Sequence, residues 1–325
     1  MIHVGIIGGA GYTAGELIRI LINHKGVELK FIFSTSNAGN KVSAVHQDLI
    51  GDTELIFSGN INLNVDVLFL CLGHGNSKKF LEEVAISPST KIIDLSTDFR
   101  LEKDAIFQGR TFTYGLPELH KEKITKANNI ANPGCFATAL QLGILPLLAN
   151  NLIQDDIHIN AVTGATGAGT SLSKTTHYTW RDNNFSYYKP FKHQHLKEIY
   201  QSVKQYQEDF SYDINFIPTR GNFSRGIYAT LYTNYSGNLD EVVKLYHQFY
   251  DATALTFVSD QELHLKQVVN TSKCLIHISK HNNKLLITSC IDNLLKGASG
   301  QAVQNMNLMF GFDESEGLKL KATYF

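Results

Sequence analysis

The first two dozen residues, MIHVGIIGGAGYTAGELIRILINH, constrain the fold more than any other stretch. Residues 2 to 7 form a continuous apolar run. A glycine-rich turn follows at once, and then AGELIRILINH repeats its apolar residues at helical spacing. A strand that enters a helix through so short a turn is the start of a βαβ unit, and so of a parallel sheet. Gly8 and Gly11 with Ala14 give the spacing G-x-x-G-x-x-A of a dinucleotide-binding turn, with Tyr12 and Thr13 inside it. Small residues let the backbone approach a pyrophosphate, whose charge the helix N-terminus favours. The same glycines also fit an ordinary strand–helix turn. The order strand, turn, helix is what favours the dinucleotide.

The pattern continues. VELKFIFS, DVLFLCLG and TKIIDLS are further apolar runs, and NSKKFLEEVA between them is helical. Continuous rather than alternating apolar runs belong to strands covered on both faces. Farther on, DIHINAVTG, YDINFIPT, GIYATLYTN, KCLIHIS and KLLITSCID are longer and alternate more, and KHNNK between the last two is a hairpin signal. The final LKGASGQAVQNMNLMFGF is helical again and is expected to return to the first domain. The fold expected is α/β: a Rossmann, doubly wound parallel sheet, plus an α+β domain with a mixed or antiparallel sheet. Residues 1–134 and 298–325 are assigned to the first domain, and 135–297 to a catalytic and oligomerising one.

At 325 residues and 43% apolar, the chain can bury two ordinary cores. Its 29 basic and 30 acidic residues leave a formal charge of −1, which gives no reason to expect nucleic acid or an anionic membrane as partner. The apolar start has no basic leader, so no signal or transit peptide is read there. No apolar run approaches the roughly 20 residues of a membrane span. Cys71, Cys135, Cys274 and Cys290 are widely spaced, which argues against a metal site or a disulfide framework and suits a reducing cytoplasm. Cys71 and Cys290 lie in apolar strands and read as packing residues.

An NAD site commonly carries an acid at the end of the second strand, where it holds the ribose 2′-hydroxyl. Here Ser34-Thr35-Ser36-Asn37 stand instead, with Lys41 nearby. Nothing there repels a 2′-phosphate, and Ser34 and Ser36 can bond it. NADP(H) is therefore expected over NAD(H), unless these hydroxyls only cap a loop.

Cys135 follows the turn Asn132-Pro133-Gly134 and opens a helical pattern that stops at Asn150-Asn151. A helix start presents unpaired N–H groups and the positive end of the helix dipole, both of which favour thiolate over thiol. A small buried residue at a helix start is the plainer alternative. HQHLKE offers His193, His195 and Glu198, the last three residues beyond His195 and on its face if the segment is helical. Without further context, this is a polar helix start.

These motifs together resemble the N-acetyl-gamma-glutamyl-phosphate reductase family nearly end to end. GGAGYTAGEL is similar to the family's GASGYTGxEL, KIIDLSTDFRL to DLSxDFR, and NPGCFAT to NPGCYPT; YGLPEL matches as it stands. TGATGAG is similar to SGxSGAG, HQHLKE to HRHxPE, and IDNLLKGASGQAVQNMNL follows the family most closely. The family is related in fold to aspartate-semialdehyde and glyceraldehyde-3-phosphate dehydrogenases. The resemblance implies NADPH-dependent reduction of an acyl phosphate to an aldehyde through a cysteine thioester, in arginine biosynthesis. It implies Cys135 as nucleophile and His195 as acid/base, with His193 and Glu198 near the substrate or an imidazole. Arg100 is expected on the phosphate, the turn around Gly167 as an N–H nest for phosphate or nicotinamide, and Asn293 on the nicotinamide amide. Lys296 could serve only to cap a turn. A homodimer or homotetramer acting on a small acyl phosphate is implied. Thr219 and Arg220 replace the usual His and Leu, Thr166 a common Ser, and Ala14 a common Gly. The first two bear on which acyl group is accepted, acetyl or larger. A related reductase of another acyl phosphate, a cysteine hydrolase and a non-catalytic NADP sensor are the rivals. The first is disfavoured by NPGC and YGLPEL, the second leaves the dinucleotide turn idle, and the third gives Cys135 no role.

Overall fold

The computed structural model describes residues 1–325. The chain divides into two units, Met1–Pro133 with Ala298–Lys319, and Gly134–Gly297 with Leu320–Phe325. No helix is long and apolar enough to cross a membrane.

The first unit holds seven strands: β1 (Ile2–Ile7), β2 (Val27–Phe33), β3 (Val67–Leu70), β4 (Lys91–Asp94), β5 (Ile106–Phe107), β6 (Arg110–Tyr114) and β7 (Asn129–Ala131). They form one sheet in the order β2-β1-β3-β4-β7-β6-β5. Every pairing is parallel except β5 with β6. Val67–Leu70 is buried throughout, as its unbroken apolar run requires. β7 has only three residues and β5 two, too few for a periodicity to register, and neither was expected from the sequence.

Returning to this unit, the helix Gly300–Phe310 buries polar residues as well as apolar ones. Asn305 donates to Gly115 O at 2.9 Å and to Asn132 Oδ1 at 3.1 Å. Asn307 meets His24 Nε2 at 2.9 Å. The Asn305 amide is thus held through its Nδ2, while its buried Oδ1 has no hydrogen-bond partner.

The second unit holds β8 (Ile157–Thr163), β9 (Ser186–Tyr187), β10 (Ile214–Arg220), β11 (Ile227–Asn234), β12 (Thr256–Val258), β13 (Cys274–His281) and β14 (Lys284–Ile291). Their order is β12-β13-β14-β11-β8-β10-β9. The sheet is mixed: β8 runs parallel to β10 and β12 to β13, and the rest are antiparallel. The hairpin expected at KHNNK joins β13 to β14 through Asn282-Asn283, with Asn282 in the left-handed region at φ +52°.

The helix Cys135–Ala149 is buried from Phe136 to Leu148. Pro146 lies inside it and has no N–H, so the carbonyl of Leu142 loses its helical partner. Tyr250 Oη donates to that carbonyl, and Tyr246 Oη donates to Gly143 O at 2.7 Å. Both tyrosines come from the helix Leu239–Tyr250, which the sequence reading did not single out. The last residues differ from the expected division. Asn270 Nδ2 donates to Lys321 O and Thr323 N–H to Val269 O, so Leu320–Phe325 belongs to the second unit.

Two acids organise the end of β4. Asp98 accepts from the backbone N–H groups of Gly75, Ser77 and Lys78 at 2.7 to 3.1 Å and so anchors the N-terminus of the helix Asn76–Glu83. Asp94 is fully buried between the hydroxyls of Ser77 and Ser96, at 2.5 and 2.7 Å. Burial pushes its carboxyl up to about 6, against those hydrogen bonds and Arg100. Its folded pKa thus exceeds the unfolded value. Its stabilising contribution is full below about pH 4 and is lost as pH rises through about 6. Asp94→Asn should therefore raise the thermal midpoint relative to wild type progressively between pH 4 and pH 7. Melting curves across that range test this; a constant offset would refute the titration.

Candidate active site

The dinucleotide turn lies in the first unit. Gly8 has φ +86°, and a Cβ there would stand 2.7 Å from Cys71 O, so the position admits only glycine. Gly11 has open space where a Cβ would be and precedes the helix Tyr12–Leu21, whose N-terminus carries no side-chain cap. The first-turn N–H groups of that helix are therefore directed at a space a pyrophosphate can enter. Tyr12 is exposed and Thr13 half-buried, while Ala14 is fully buried and serves close packing rather than ligand contact. Ser299 Oγ donates to Thr13 O at 2.7 Å. At the end of β2, Asn37 Nδ2 donates to Ser34 Oγ and Ser36 Oγ at 3.4 and 3.0 Å. Lys41 is paired with Glu54 at 2.6 Å in an exposed salt bridge, which leaves it mobile. This turn fits a dinucleotide, and the polar cluster without an acid fits a 2′-phosphate.

In the second unit, Cys135 is the first residue of a fifteen-residue helix, half-buried. Gly134 ahead of it has φ −72° and ψ 149°, a conformation open to any residue. It is glycine for want of space: a Cβ there would stand 2.5 Å from His195 Cε1 and 2.7 Å from Cδ2, and closer still to Nε2. The His195 ring thus lies directly on the residue before the nucleophile. The N–H of Gly134 donates to Glu198 Oε2 at 2.9 Å. Gly297 also packs on the nucleophile: a Cβ there would lie 2.8 Å from Cys135 Cβ.

His193 and His195 are both buried, with ring centroids 4.6 Å apart. Phe136, Tyr188 and Phe216 surround His193 edge-on. Its Nδ1 accepts from the His195 backbone N–H at 3.3 Å. Burial, aided by Lys189, pushes its pKa down to about 4, so His193 is neutral at physiological pH. Tyr188, which the sequence reading missed, is electrostatically linked to Cys135. Burial first, and then the charge of a Cys135 thiolate, push its phenol well up, while Arg220 opposes them. No spacing pattern links Tyr188 to Cys135; Tyr188 follows the edge strand β9 and is tied to β10 by its N–H, which donates to Pro218 O at 3.0 Å.

Four expected ligands already have partners within the protein. Arg100 is buried, with Nε on Asn132 O at 2.8 Å and Nη2 on Leu95 O at 3.0 Å, so two of its N–H groups brace the strand ends. Glu198 holds the Gly134 turn by its backbone, its Oε2 accepting from the Gly134 N–H. The Gly167 turn is no open nest. The N–H groups of Gly164, Ala165, Thr166, Gly167 and Gly169 already donate to Gly226, Phe223, Ser224, Gly164 and Thr166 carbonyls. Asn293 accepts from Gly226 N–H at 2.6 Å and donates to Thr166 Oγ1 at 3.0 Å, which ties two loops together and leaves one amide hydrogen for a ligand. Beside it, fully buried Asp292 accepts from the Arg225 guanidinium and from the N–H groups of Asn270, Leu294 and Leu295. Cys71 and Cys290 suit packing: burial pushes the Cys71 thiol up to about 12 and the Cys290 thiol higher. No cluster of metal-binding side chains exists.

Residues 3–127 match the semialdehyde dehydrogenase NAD binding domain, and residues 135–293 the semialdehyde dehydrogenase dimerisation domain. Proteins named N-acetyl-gamma-glutamyl-phosphate reductase from Christiangramia forsetii and Flavobacterium johnsoniae are 65% and 58% identical over 325 residues, covering all of both chains. One from Parabacteroides distasonis is 56% identical over 326 aligned positions. Among solved structures, aspartate semialdehyde dehydrogenase II of Vibrio cholerae complexed with ASA superposes with a TM-score of 0.72 at 15% identity, over 96% of this chain and 98% of the other. Aspartate semialdehyde dehydrogenase with NADP from Candida albicans gives 0.68 at 11% identity, over 95% and 98%. At such identities the likeness is one of fold.

The packing of His195 on Gly134 generates a direct test. Gly134→Ala should fold, because the backbone conformation suits alanine, but it must displace the imidazole. Turnover is expected to fall by about two or more powers of ten, the reach of general acid–base catalysis, while Cys135 remains open to alkylation. Retention of more than a tenth of wild-type turnover would show that His195 need not sit there.

Proposed function

This chain belongs to the N-acetyl-gamma-glutamyl-phosphate reductase family, and on that footing we propose that it reduces an N-acyl-gamma-glutamyl phosphate to the N-acyl-glutamate 5-semialdehyde and phosphate, with NADPH as reductant, in arginine biosynthesis. The observation that carries the reading is Cys135 at a helix N-terminus, with His195 packed on the glycine before it.

Cys135 Sγ attacks the acyl carbon as thiolate; the carbon–oxygen bond to phosphate breaks and a thioester forms. The helix N-terminus favours the thiolate over the thiol. NADPH, when bound, supplies the hydride that reduces the thioester carbon. His195 then gives a proton to the oxygen of the resulting thiohemiacetal. It takes that proton back as the carbonyl re-forms and the carbon–sulfur bond breaks, returning the thiolate. Neutral His193 offers an Nε2–H to the substrate, since its Nδ1 already accepts a hydrogen bond. Glu198 positions the turn that carries Cys135. Gly8, Gly11, Tyr12 and Thr13 form the pyrophosphate turn, packed through Ala14, and Ser34 and Ser36 hold the 2′-phosphate. Asn293 retains one amide hydrogen for the nicotinamide amide. The dimerisation-domain match supports a homo-oligomer, dimer or tetramer, and a small acyl phosphate as substrate and a place in the cytoplasm complete the reading.

Phosphate-dependent reduction of NADP+ with N-acetyl- and N-succinyl-glutamate 5-semialdehyde tests the reading, and a wild-type enzyme inactive with both would overturn it. Cys135→Ser should lose at least about three powers of ten in turnover and still bind NADPH. In the same assay, kcat/KM for NADP+ should exceed that for NAD+ by at least about tenfold, since no acid at the end of β2 repels the 2′-phosphate. Equal efficiencies would mean that Ser34 and Ser36 only cap the loop.

A further inference from the structure

Two guanidinium groups of the second unit have no carboxylate. Arg220 ends β10, opposite Ser186 of β9. Its Nη1 donates to Thr175 Oγ1 at 3.0 Å, and its Cζ stands 4.5 Å over the Tyr188 ring. Arg181 donates to the carbonyl of Gly221, the next residue along the chain. The two charges are close enough that Arg220 adds to burial in lowering the Arg181 pKa. Arg225, by contrast, is satisfied by Asp292. Like charges held together without a counter-charge repel, and a bound anion relieves the repulsion. The Arg220 guanidinium lies over the Tyr188 ring, and the charge of a Cys135 thiolate reaches the Tyr188 phenol, so the guanidinium and the nucleophile belong to one neighbourhood of the second unit.

We propose that Arg220, steadied by Tyr188 and Thr175, binds a carboxylate of the substrate through its guanidinium fork. The proposal rests on the reductase reading. A phosphate leaving from the attacked carbon must sit beside the sulfur itself, whereas a group beyond the Tyr188 ring meets a more distant part of the substrate. The planar fork fits the two oxygens of a carboxylate, and the aromatic ring beneath holds the fork in one plane. The carboxylate has two possible sources: the α-carboxylate of the glutamyl moiety, or one that ends a dicarboxylic N-acyl group.

The experiment measures phosphate-dependent reduction of NADP+ with N-acetyl- and N-succinyl-glutamate 5-semialdehyde, for wild type, Arg220→Met and Arg220→Lys. Loss of a charge-assisted hydrogen-bonded contact is expected to raise the semialdehyde KM of Arg220→Met about 10- to 100-fold. kcat should change far less, and KM for NADP+ should hold. Arg220→Lys should recover part of the loss. A rise with both substrates assigns the α-carboxylate, and a rise with the succinyl substrate alone assigns the acyl carboxylate. Unchanged semialdehyde KM values would overturn the proposal. So would a rise in the phosphate KM instead, or a fall in kcat with slower Cys135 alkylation, which would make Arg220 a phosphate ligand or a thiolate stabiliser. If wild type oxidises neither semialdehyde, the reductase reading itself fails, a result distinct from these.

Discussion

The absence of a side chain at Gly134 is the constraint on which the nucleophilic site depends. Its backbone angles permit any residue, so the requirement is spatial: the His195 imidazole occupies the volume a Cβ would take. The same residue's N–H is bound by Glu198, so one glycine fixes both the imidazole and the carboxylate relative to Cys135. Gly297 repeats the device against the cysteine itself. A nucleophile packed against glycine is held by backbone, which relaxes less than side chains do, and the helix that follows is rigid because it is buried along nearly its whole length. Pro146 would weaken that helix were its orphaned carbonyl not taken up by Tyr250.

Around this centre, buried polar groups act on one another before they act on any ligand. Arg100 grips Asn132 O, three residues before Cys135, and Asn132 Nδ2 donates to Ala298 O. Asp292 gathers Arg225 and three backbone N–H groups, and Asn293 joins Gly226 to Thr166. Unpaired, each of these groups would cost about 1–3 kcal/mol or more in a buried setting. Satisfied, they fix the loops that carry glycines. That is why residues that read as phosphate or nicotinamide ligands serve first as braces.

The Rossmann half was legible because its strands are continuous apolar runs and its turn needs glycine for reasons that leave a mark in the chain, as at Gly8 and Gly11. The short strands Ile106–Phe107 and Asn129–Ala131 left no such mark, since two or three residues carry no period. Cys135 and His195 were legible through their motifs. Tyr188 was not, because it follows an edge strand of only two residues and is tied to the sheet by its N–H on Pro218 O. How open the Gly167 turn is could not be read from the sequence, for a physical reason. A glycine-rich segment looks like a nest in sequence, but whether its N–H groups are open depends on carbonyls some 60 residues away, at Phe223 and Ser224.

The two adjacent histidines pose an electrostatic problem that burial solves. With ring centroids 4.6 Å apart, a charged His193 would oppose every protonation of His195. Packed among Phe136, Tyr188 and Phe216, His193 stays neutral far below physiological pH. The hydrogen bond it accepts at Nδ1 settles its proton on Nε2. One imidazole is thereby fixed as a neutral donor, and the other, lying against Gly134, is the one to which the proposed mechanism gives the moving proton. Had both been open to solvent, the two would titrate as a coupled pair and neither would have a single role. The aromatic rings around His193 are thus as much a part of the proton chemistry as the histidines themselves.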